Sequence, residues 1–111
     1  KVLVHPSSND TLPTSANKED HVSMGGFSAR KALEVVDNTE NVIAIELLCA
    51  CQALDFSRPK KTTTPLENLH KMVREHVKHY EHDRYMKNDM DMCKQFVENA
   101  KVYEIVKDYL E

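Results

Sequence analysis

The sequence predicts an all-α fold in which a polar loop precedes a bundle of long helices. After residue 24, apolar side chains recur at three- and four-residue spacing, which is the periodicity of amphipathic helices. Only 2 of the 111 residues are glycine, and no alternation of apolar and polar residues is long enough for a useful strand. We therefore divide the chain into an N-terminal loop segment, residues 1–23, and a helical region, residues 24–111.

The loop segment has little material for a core. Val2 to Val4 form a short apolar run, and the stretch from Ser7 to Ser15 consists mostly of Ser, Asn, Asp, Thr and Pro, which favour loops. Contacts from outside this stretch are needed to hold it in one conformation.

The first predicted helix starts near Met24 and has two parts. Residues 37–40 are polar and mark either a kink or a solvated turn of one long helix. Residues 42–54 are apolar on nearly every side, which indicates a helix buried on most faces. A chain of this size cannot enclose such a helix, so we expect other segments or subunits to complete the bundle. In the first part, the residues at helix spacing are Phe27, Ala29, Ala32, Leu33 and Val36, with Arg30, Lys31 and Glu34 on the other side.

The break at residues 58–61 is followed by a second predicted helix. Thr64 is its expected cap, Pro65 suits the first helical position, and Glu67 completes a capping box. The apolar stripe of this helix comprises Leu66, Leu69, Val73, Val77 and Tyr80.

The last part of the chain is predicted to be helical as well. Either Asn88 or Asp89 caps a further helix, which continues through residues 101–110. Its inward-facing residues are expected to be Met92, Phe96 and Ala100.

Composition excludes several classes of partner. A formal net charge of -3 and a pI near 6.1 argue against a nucleic-acid-binding protein, which usually shows a basic surface. The longest apolar stretch, residues 42–54, is shorter than the roughly 18–20 residues of a membrane span. No signal-peptide pattern follows Lys1. The three cysteines, Cys49, Cys51 and Cys93, are predicted to be buried free thiols, and we expect a cytoplasmic protein.

Four histidines raise the question of a metal site. His76, His79 and His82 recur every three residues, and side chains at this spacing share a helix face that can hold Zn or Ni together with Asp83. His70 lies upstream. Because Glu75, Lys78, Glu81 and Arg84 surround them, we interpret this face as solvated and predict no metal site.

The segment before the long helix carries the most informative motif. It reads Ser15-Ala16-Asn17-Lys18-Glu19-Asp20-His21-Val22-Ser23-Met24-Gly25-Gly26. It resembles the active-site motif of histidine ammonia-lyases, in the aromatic amino acid lyase family, where Lys18 stands at a position often occupied by an amide. Residues 24–33 and 44–52 are similar to the long core helix of that family, and residues 61–67 to a string in its animal-type members. The resemblance implies the long-helix bundle portion of the lyase fold, preceded by an active-site loop.

Glu19 is the candidate catalytic and substrate-binding residue. Spacing alone favours Glu19 and Asp20 as caps of the following helix, since acidic side chains are common at helix N-termini. The resemblance instead implies that Glu19 is an active-site carboxylate, acting as a base or holding a substrate imidazole by a charge-assisted hydrogen bond. Phenylalanine lyases have an amide here, so Glu19 favours the histidine branch.

The resemblance also implies what the chain lacks. Lyases of this family use a methylidene-imidazolone prosthetic group formed from an internal Ala-Ser-Gly, and this tripeptide does not occur in the sequence. We therefore expect the C-terminal portion of a larger lyase, inactive alone. The whole enzyme would be a homotetramer that converts L-histidine to trans-urocanate and ammonia in histidine catabolism.

Two other functions are compatible with the sequence. One is a non-enzymatic helical assembly module, or a truncated paralogue that pairs with a full-length lyase. The other is a tyrosine or phenylalanine lyase or an aminomutase of the same superfamily, which Glu19 and Met24 disfavour.

Overall fold

A computed structural model describes residues 1–110, and it is helical throughout its regular part. Helix α1 spans Gly25–Phe56, α2 Thr64–His76, α3 Lys87–Glu98 and α4 Lys101–Val106. Short 3-10 helices span Ser7–Asp10 and Lys107–Tyr109. Over residues 1–110 the extended pairing is limited to one isolated bridge, so the all-α prediction is confirmed. Within the same residues, no helix combines the length and apolarity needed to cross a bilayer.

The chain forms two compact units, residues 1–39 and residues from 40 onward. Helix α1 supplies residues to both. It runs without interruption through residues 37–40, so the polar stretch there is a turn of one long helix and not a break. Its end at Phe56 confirms the predicted break before Arg58.

In the first unit, the buried face of α1 differs from the predicted one. Lys31, expected on the outer side, is only 9% exposed, and its ammonium group donates a hydrogen bond to the His5 carbonyl. The predicted inner residues Leu33 and Val36 are 72% and 56% exposed. The N-terminal segment covers the side of α1 that carries Lys31. The alkyl part of Lys31 can be buried there because its ammonium group keeps the hydrogen bond to His5.

The core of the second unit combines residues of α1, α2 and α3. Ala44, Leu48 and Cys51 lie four and three residues apart, so they form one buried stripe of α1. Half-buried methionines fill the margins of this core, as suits a flexible side chain. The fully buried partners of the stripe are Val73, Val77, Cys93 and Phe96, and all four were predicted to be buried.

A second apolar stripe of α1 has no cover within the described chain. Val42 and Ile45 are 64% and 41% exposed, and Cys49 continues the stripe. The prediction that residues 42–54 are buried on most faces is therefore met on one side of the helix alone.

The start of α2 departs from the capping-box prediction. The helix begins at Thr64, its N-cap is Thr63, and that cap makes no side-chain hydrogen bond. The Glu67 carboxylate instead accepts the Thr62 N–H at 2.9 Å and the Arg58 guanidinium at 2.9 Å. A charged guanidinium is a stronger donor than a backbone N–H. Glu67 therefore connects α2 to the preceding loop and does not take part in a capping box.

The end of α2 and the start of α3 also differ from the predictions. Tyr80 was placed on the stripe of α2, but the helix ends at His76. Helix α3 begins at Lys87 after Met86, so neither Asn88 nor Asp89 is its cap. The Asp89 carboxylate accepts two hydrogen bonds from Arg84, at 2.8 and 3.0 Å, which removes it from capping.

A single helix through the C-terminal region was also predicted, but two are present. Ala100 adopts the left-handed conformation with φ of 55°, which separates α3 from α4. Ala100 is exposed, so its predicted inward position is wrong, whereas Phe96 is 2% exposed as predicted.

The three cysteines are unpaired but not equally buried. Cys51 and Cys93 lie in the core, while Cys49 is exposed, which corrects the prediction for Cys49. Burial raises the pKa of Cys93 to about 11 and also raises the pKa of Cys51. We expect a maleimide or Ellman reagent at neutral pH to modify Cys49 alone in the folded chain and all three thiols in denaturant. Labelling of Cys93 under native conditions would contradict this core.

Candidate functional site

The loop that carries the sequence motif has its two ends tied together. Pro13 and His21 form an antiparallel bridge. The Val22 N–H donates to the Leu12 carbonyl at 3.1 Å, and the Thr11 hydroxyl donates to the Val22 carbonyl at 2.5 Å. These bonds fix the base of the loop immediately before α1, so the residues at its tip have a defined position.

The tip of this loop is a left-handed turn. Ser15, Ala16 and Asn17 have φ values of 53°, 54° and 66° in succession, and none of them is glycine. The left-handed conformation costs roughly 1–2 kcal/mol per residue for side chains with a Cβ. Strain of this kind persists where the surrounding structure enforces it, and it is frequent at functional sites. The turn reverses the chain, so that Glu19 returns to Thr14.

Glu19 is presented at the tip and not buried in it. The Thr14 hydroxyl donates to Glu19 Oε2 at 2.8 Å, and the Glu19 side chain is exposed. The hydrogen bond from Thr14, followed by one from Ser15, lowers the pKa of Glu19 below its usual value. The carboxylate is therefore ionised at neutral pH. Because Glu19 is exposed, residues 1–110 do not enclose it in the dry pocket that a carbon-acid base needs.

The alternative role of Glu19 and Asp20 as helix caps is not observed. The first N–H of α1, that of Gly25, contacts the Ser23 hydroxyl at 3.4 Å. Within residues 1–110, no hydrogen bond joins Glu19 to Asp20 or His21. Glu19 is thus a separate carboxylate with its own partner.

An open cleft lies beside the base of this loop. It has a volume of about 520 Å³ and is bounded by the start of α1 and by the N-terminal segment. Glu19 is not among the residues that line it, so the cleft and the carboxylate are neighbouring features of one unit. The lining residues include Ser7, Thr11, Val22, Met24 and Ser28.

The histidines considered for a metal site are divided between two environments. His70 Nε2 lies 2.6 Å from Asp55 Oδ1, and His79 Nδ1 lies 2.9 Å from Asp55 Oδ2. His76 instead approaches the Met72 carbonyl at 3.1 Å. The spacing of three residues therefore does not put the three histidines on one helix face, because α2 ends at His76.

Asp55 is a residue that the sequence did not single out. Arg74 Nε donates to Asp55 Oδ2 at 2.9 Å, and Arg74 also donates to the nearly buried amide oxygen of Gln52 at 3.1 Å. Burial raises the pKa of Asp55, but hydrogen bonds from His79, His70 and Arg74 outweigh it, so the net shift is downward. The signal in the sequence was the pair His70 and Arg74, which share one face of α2 at i, i+4.

Comparison with known proteins explains the loop and the long helix together. The model of the aromatic amino acid lyase family matches residues 1–75, which is more than half of the chain. This chain belongs to the aromatic amino acid lyase family. The match includes the whole Thr11–Val22 loop and the whole of α1.

Individual relatives and solved structures match nearly the whole chain. Histidine ammonia-lyases of Mus musculus and Homo sapiens are 52% and 51% identical to it over 111 residues. The structure of histidine ammonia-lyase from Trypanosoma cruzi matches 99% of this chain with a TM-score of 0.91 and 48% identity. A tyrosine aminomutase from Streptomyces globisporus matches 95% with a TM-score of 0.83 and 29% identity.

The chain spans only part of these aromatic amino acid lyases. It corresponds to 17% of the length of the mouse and human proteins and to 22% of the Trypanosoma cruzi chain. The long-helix bundle portion of the lyase fold, preceded by a loop, is confirmed as the architecture of this portion.

Proposed function

We propose that this chain forms the C-terminal active-site portion of a histidine ammonia-lyase, which eliminates ammonia from L-histidine to give trans-urocanate. In this proposal Glu19 is the carboxylate that contacts the substrate, and the remaining chain and sister subunits of a cytoplasmic homotetramer complete the site. The observation that carries the proposal is the pinned loop that presents an exposed Glu19, bonded to Thr14, on a chain about half identical to histidine ammonia-lyases.

The histidine branch is favoured over the other branches of the family. Identity to the histidine ammonia-lyases is 48–52%, against 29% to the tyrosine aminomutase. An imidazole can donate an N–H to a carboxylate, and this charge-assisted bond is shorter and stronger than a neutral one. A carboxylate at residue 19 therefore suits an imidazole substrate better than a phenyl ring, which has no such donor.

The prosthetic group of the family does not fit within this chain. Methylidene-imidazolone requires an Ala-Ser-Gly. The sequence has two glycines, Gly25 and Gly26, and neither is preceded by a serine. Both lie in the first turn of α1. In our proposal, the electrophile therefore belongs to another part of the enzyme. The contribution of this chain is limited to the carboxylate, the loop that holds it and the helices that support the loop.

Assembly is the second candidate function, and the uncovered stripe of α1 supports it. Val42, Ile45 and Cys49 belong to the apolar stretch of α1, and all three are exposed. Large exposed apolar patches usually mark a contact surface. A truncated paralogue that pairs with a full-length lyase would use this stripe without any chemistry at Glu19.

A chimaera separates the two functions. We would replace the matching segment of the mouse histidine ammonia-lyase, 52% identical over 111 residues, with this chain. We expect the chimaera to have the oligomeric size of the mouse enzyme and to form urocanate, followed by its ultraviolet absorbance. The isolated chain should form none. A chimaera of native size without urocanate formation would contradict the lyase proposal and leave the assembly function.

A further inference from the structure

The contact between Thr14 and Glu19 extends the proposed function, on which this inference rests. Thr14 is half-buried and Glu19 is exposed, five residues apart in sequence. Two bonds join them: the Thr14 hydroxyl donates to Glu19 Oε2 at 2.8 Å, and the Glu19 N–H donates to the Thr14 carbonyl at 3.4 Å. The backbone bond fixes the position of the Glu19 main chain, and the bond from the hydroxyl fixes the orientation of its carboxylate.

The loop does not need the Thr14 hydroxyl to close. Its base is held by the Pro13–His21 bridge and by the bonds between residues 11, 12 and 22. Its tip is closed by the bond from the Lys18 N–H to the Ser15 carbonyl at 3.1 Å. The hydroxyl of Thr14 has the Glu19 carboxylate as its partner, so its contribution concerns the carboxylate and not the loop.

The hydroxyl bonds leave part of the accepting capacity of the Glu19 carboxylate unused. Oε2 accepts from Thr14, and the Ser15 side chain makes a smaller contribution to the same carboxylate. An ionised carboxylate offers about four lone-pair sites, and hydrogen bonds from hydroxyls favour this ionised form. We propose that Thr14 is a positioning residue that holds Glu19 as an oriented anion, whose remaining lone pairs accept an N–H from the imidazole of the substrate.

This arrangement assigns Glu19 the role of imidazole acceptor, one of the two roles that the sequence left open. The hydrogen bonds from Thr14 and Ser15 lower the pKa of Glu19, which is opposite to the shift that a proton-abstracting carboxylate needs. The titratable neighbours in the loop are Lys18, Asp20 and His21, and the test variants leave all three unchanged.

Two variants test the positioning role. Thr14→Val removes the hydroxyl and keeps the branched shape, whereas Thr14→Ser keeps the hydroxyl. In the 111-residue chain, the carboxyl carbon of Glu19 is titrated by NMR. We expect the Glu19 pKa to rise towards its usual value in Thr14→Val and to stay low in Thr14→Ser. The amide shifts of His21 and Val22 report whether the loop is intact.

The chimaera supplies the second measurement. We expect Thr14→Val to lower kcat/KM by about tenfold, mainly through KM, because one oriented bond to a charged group is lost. The acid limb of the pH profile should move to higher pH, and Thr14→Ser should restore both. An unchanged Glu19 titration in an intact loop would overturn the inference. The NMR result needs no turnover, so an inactive chimaera would count against the proposed function and not against Thr14.

Discussion

Replacing Glu19 with glutamine is expected to reduce urocanate formation by the chimaera at least about 100-fold, since removal of a positioned acid, base or charged anchor typically has an effect of this size. The glutamine side chain would have nearly the same shape and would still accept a bond from Thr14, but it would carry no charge. The loss therefore measures the carboxylate and not the volume of the side chain. Steady-state kinetics over a range of L-histidine concentrations is the measurement.

The neighbouring carboxylate provides the matched control. Asp20 follows Glu19 in the same exposed loop, and its side chain makes no hydrogen bond to Glu19. Asp20→Asn therefore removes a nearby charge without removing a contact to Glu19. It should leave kcat/KM within a few-fold of the parent chimaera. If Glu19→Gln retained full turnover in a correctly assembled chimaera, Glu19 would have no part in the reaction. Equal losses in both variants would point to the net charge of the loop.

Replacing Asp55 with asparagine is expected to destabilise the second unit by about 3 kcal/mol, because a largely buried carboxylate paired with the Arg74 guanidinium loses its charge. The side chains of Asp55, His70 and Arg74 are 17%, 11% and 14% exposed, so solvent screens these contacts weakly. Arg74 would keep its bonds to Gln52 and to the Val77 carbonyl but lose its counter-ion. Urea unfolding followed by circular dichroism is the measurement.

The stabilisation by Asp55 has a defined pH dependence. The folded pKa of Asp55 lies below its ordinary value of 3.8, so the carboxylate contributes stability above that value and loses it as the pH falls through the folded pKa. The wild-type chain should therefore lose stability below about pH 4 more steeply than Asp55→Asn does. Parallel curves for the two proteins would show that Asp55 is not held as an anion.

An exposed ion pair is the control for this second prediction. Asp91 and Lys87 form an i, i+4 pair at 2.7 Å on α3, with side chains 48% and 61% exposed. Solvent screens such a pair, and ordering its long side chain offsets part of the attraction. Asp91→Asn should leave the unfolding midpoint nearly unchanged. A loss as large as that of Asp55→Asn would mean that charge removal in general, and not the buried cluster, weakens the fold.

Local patterns located most of the helices of this chain. The stripes containing Val73 and Phe96 are periodic over several turns, and each residue is buried as the period requires. The predicted caps were wrong where an arginine across a loop competed for the capping carboxylate: Arg58 binds the carboxylate of Glu67, and Arg84 binds that of Asp89. Sequence spacing contains no information on such partners, because they lie 5–9 residues away across a loop.

The candidate site followed a similar division. The motif around Glu19 was recognisable from the sequence through its resemblance to a family, and Glu19 remains a prediction as a catalytic residue. Its bond to Thr14 depends on a left-handed turn of three residues with side chains, which no propensity of Ser15 or Ala16 favours. The Asp55 cluster was missed because its members come from α1, from α2 and from the segment after α2.

The sequence by itself determined the helical class and the long apolar helix, since both depend on residue type and short-range spacing, and its resemblance to a family supplied Glu19 as the candidate carboxylate. Only the tertiary structure decided which stripe of α1 is covered, which histidines meet Asp55, and that Glu19 is held by Thr14. These features depend on contacts between residues distant in sequence and on backbone conformations that local propensity opposes. Apolar periodicity indicates which side of a helix is apolar, whereas tertiary packing decides which residues contact that side.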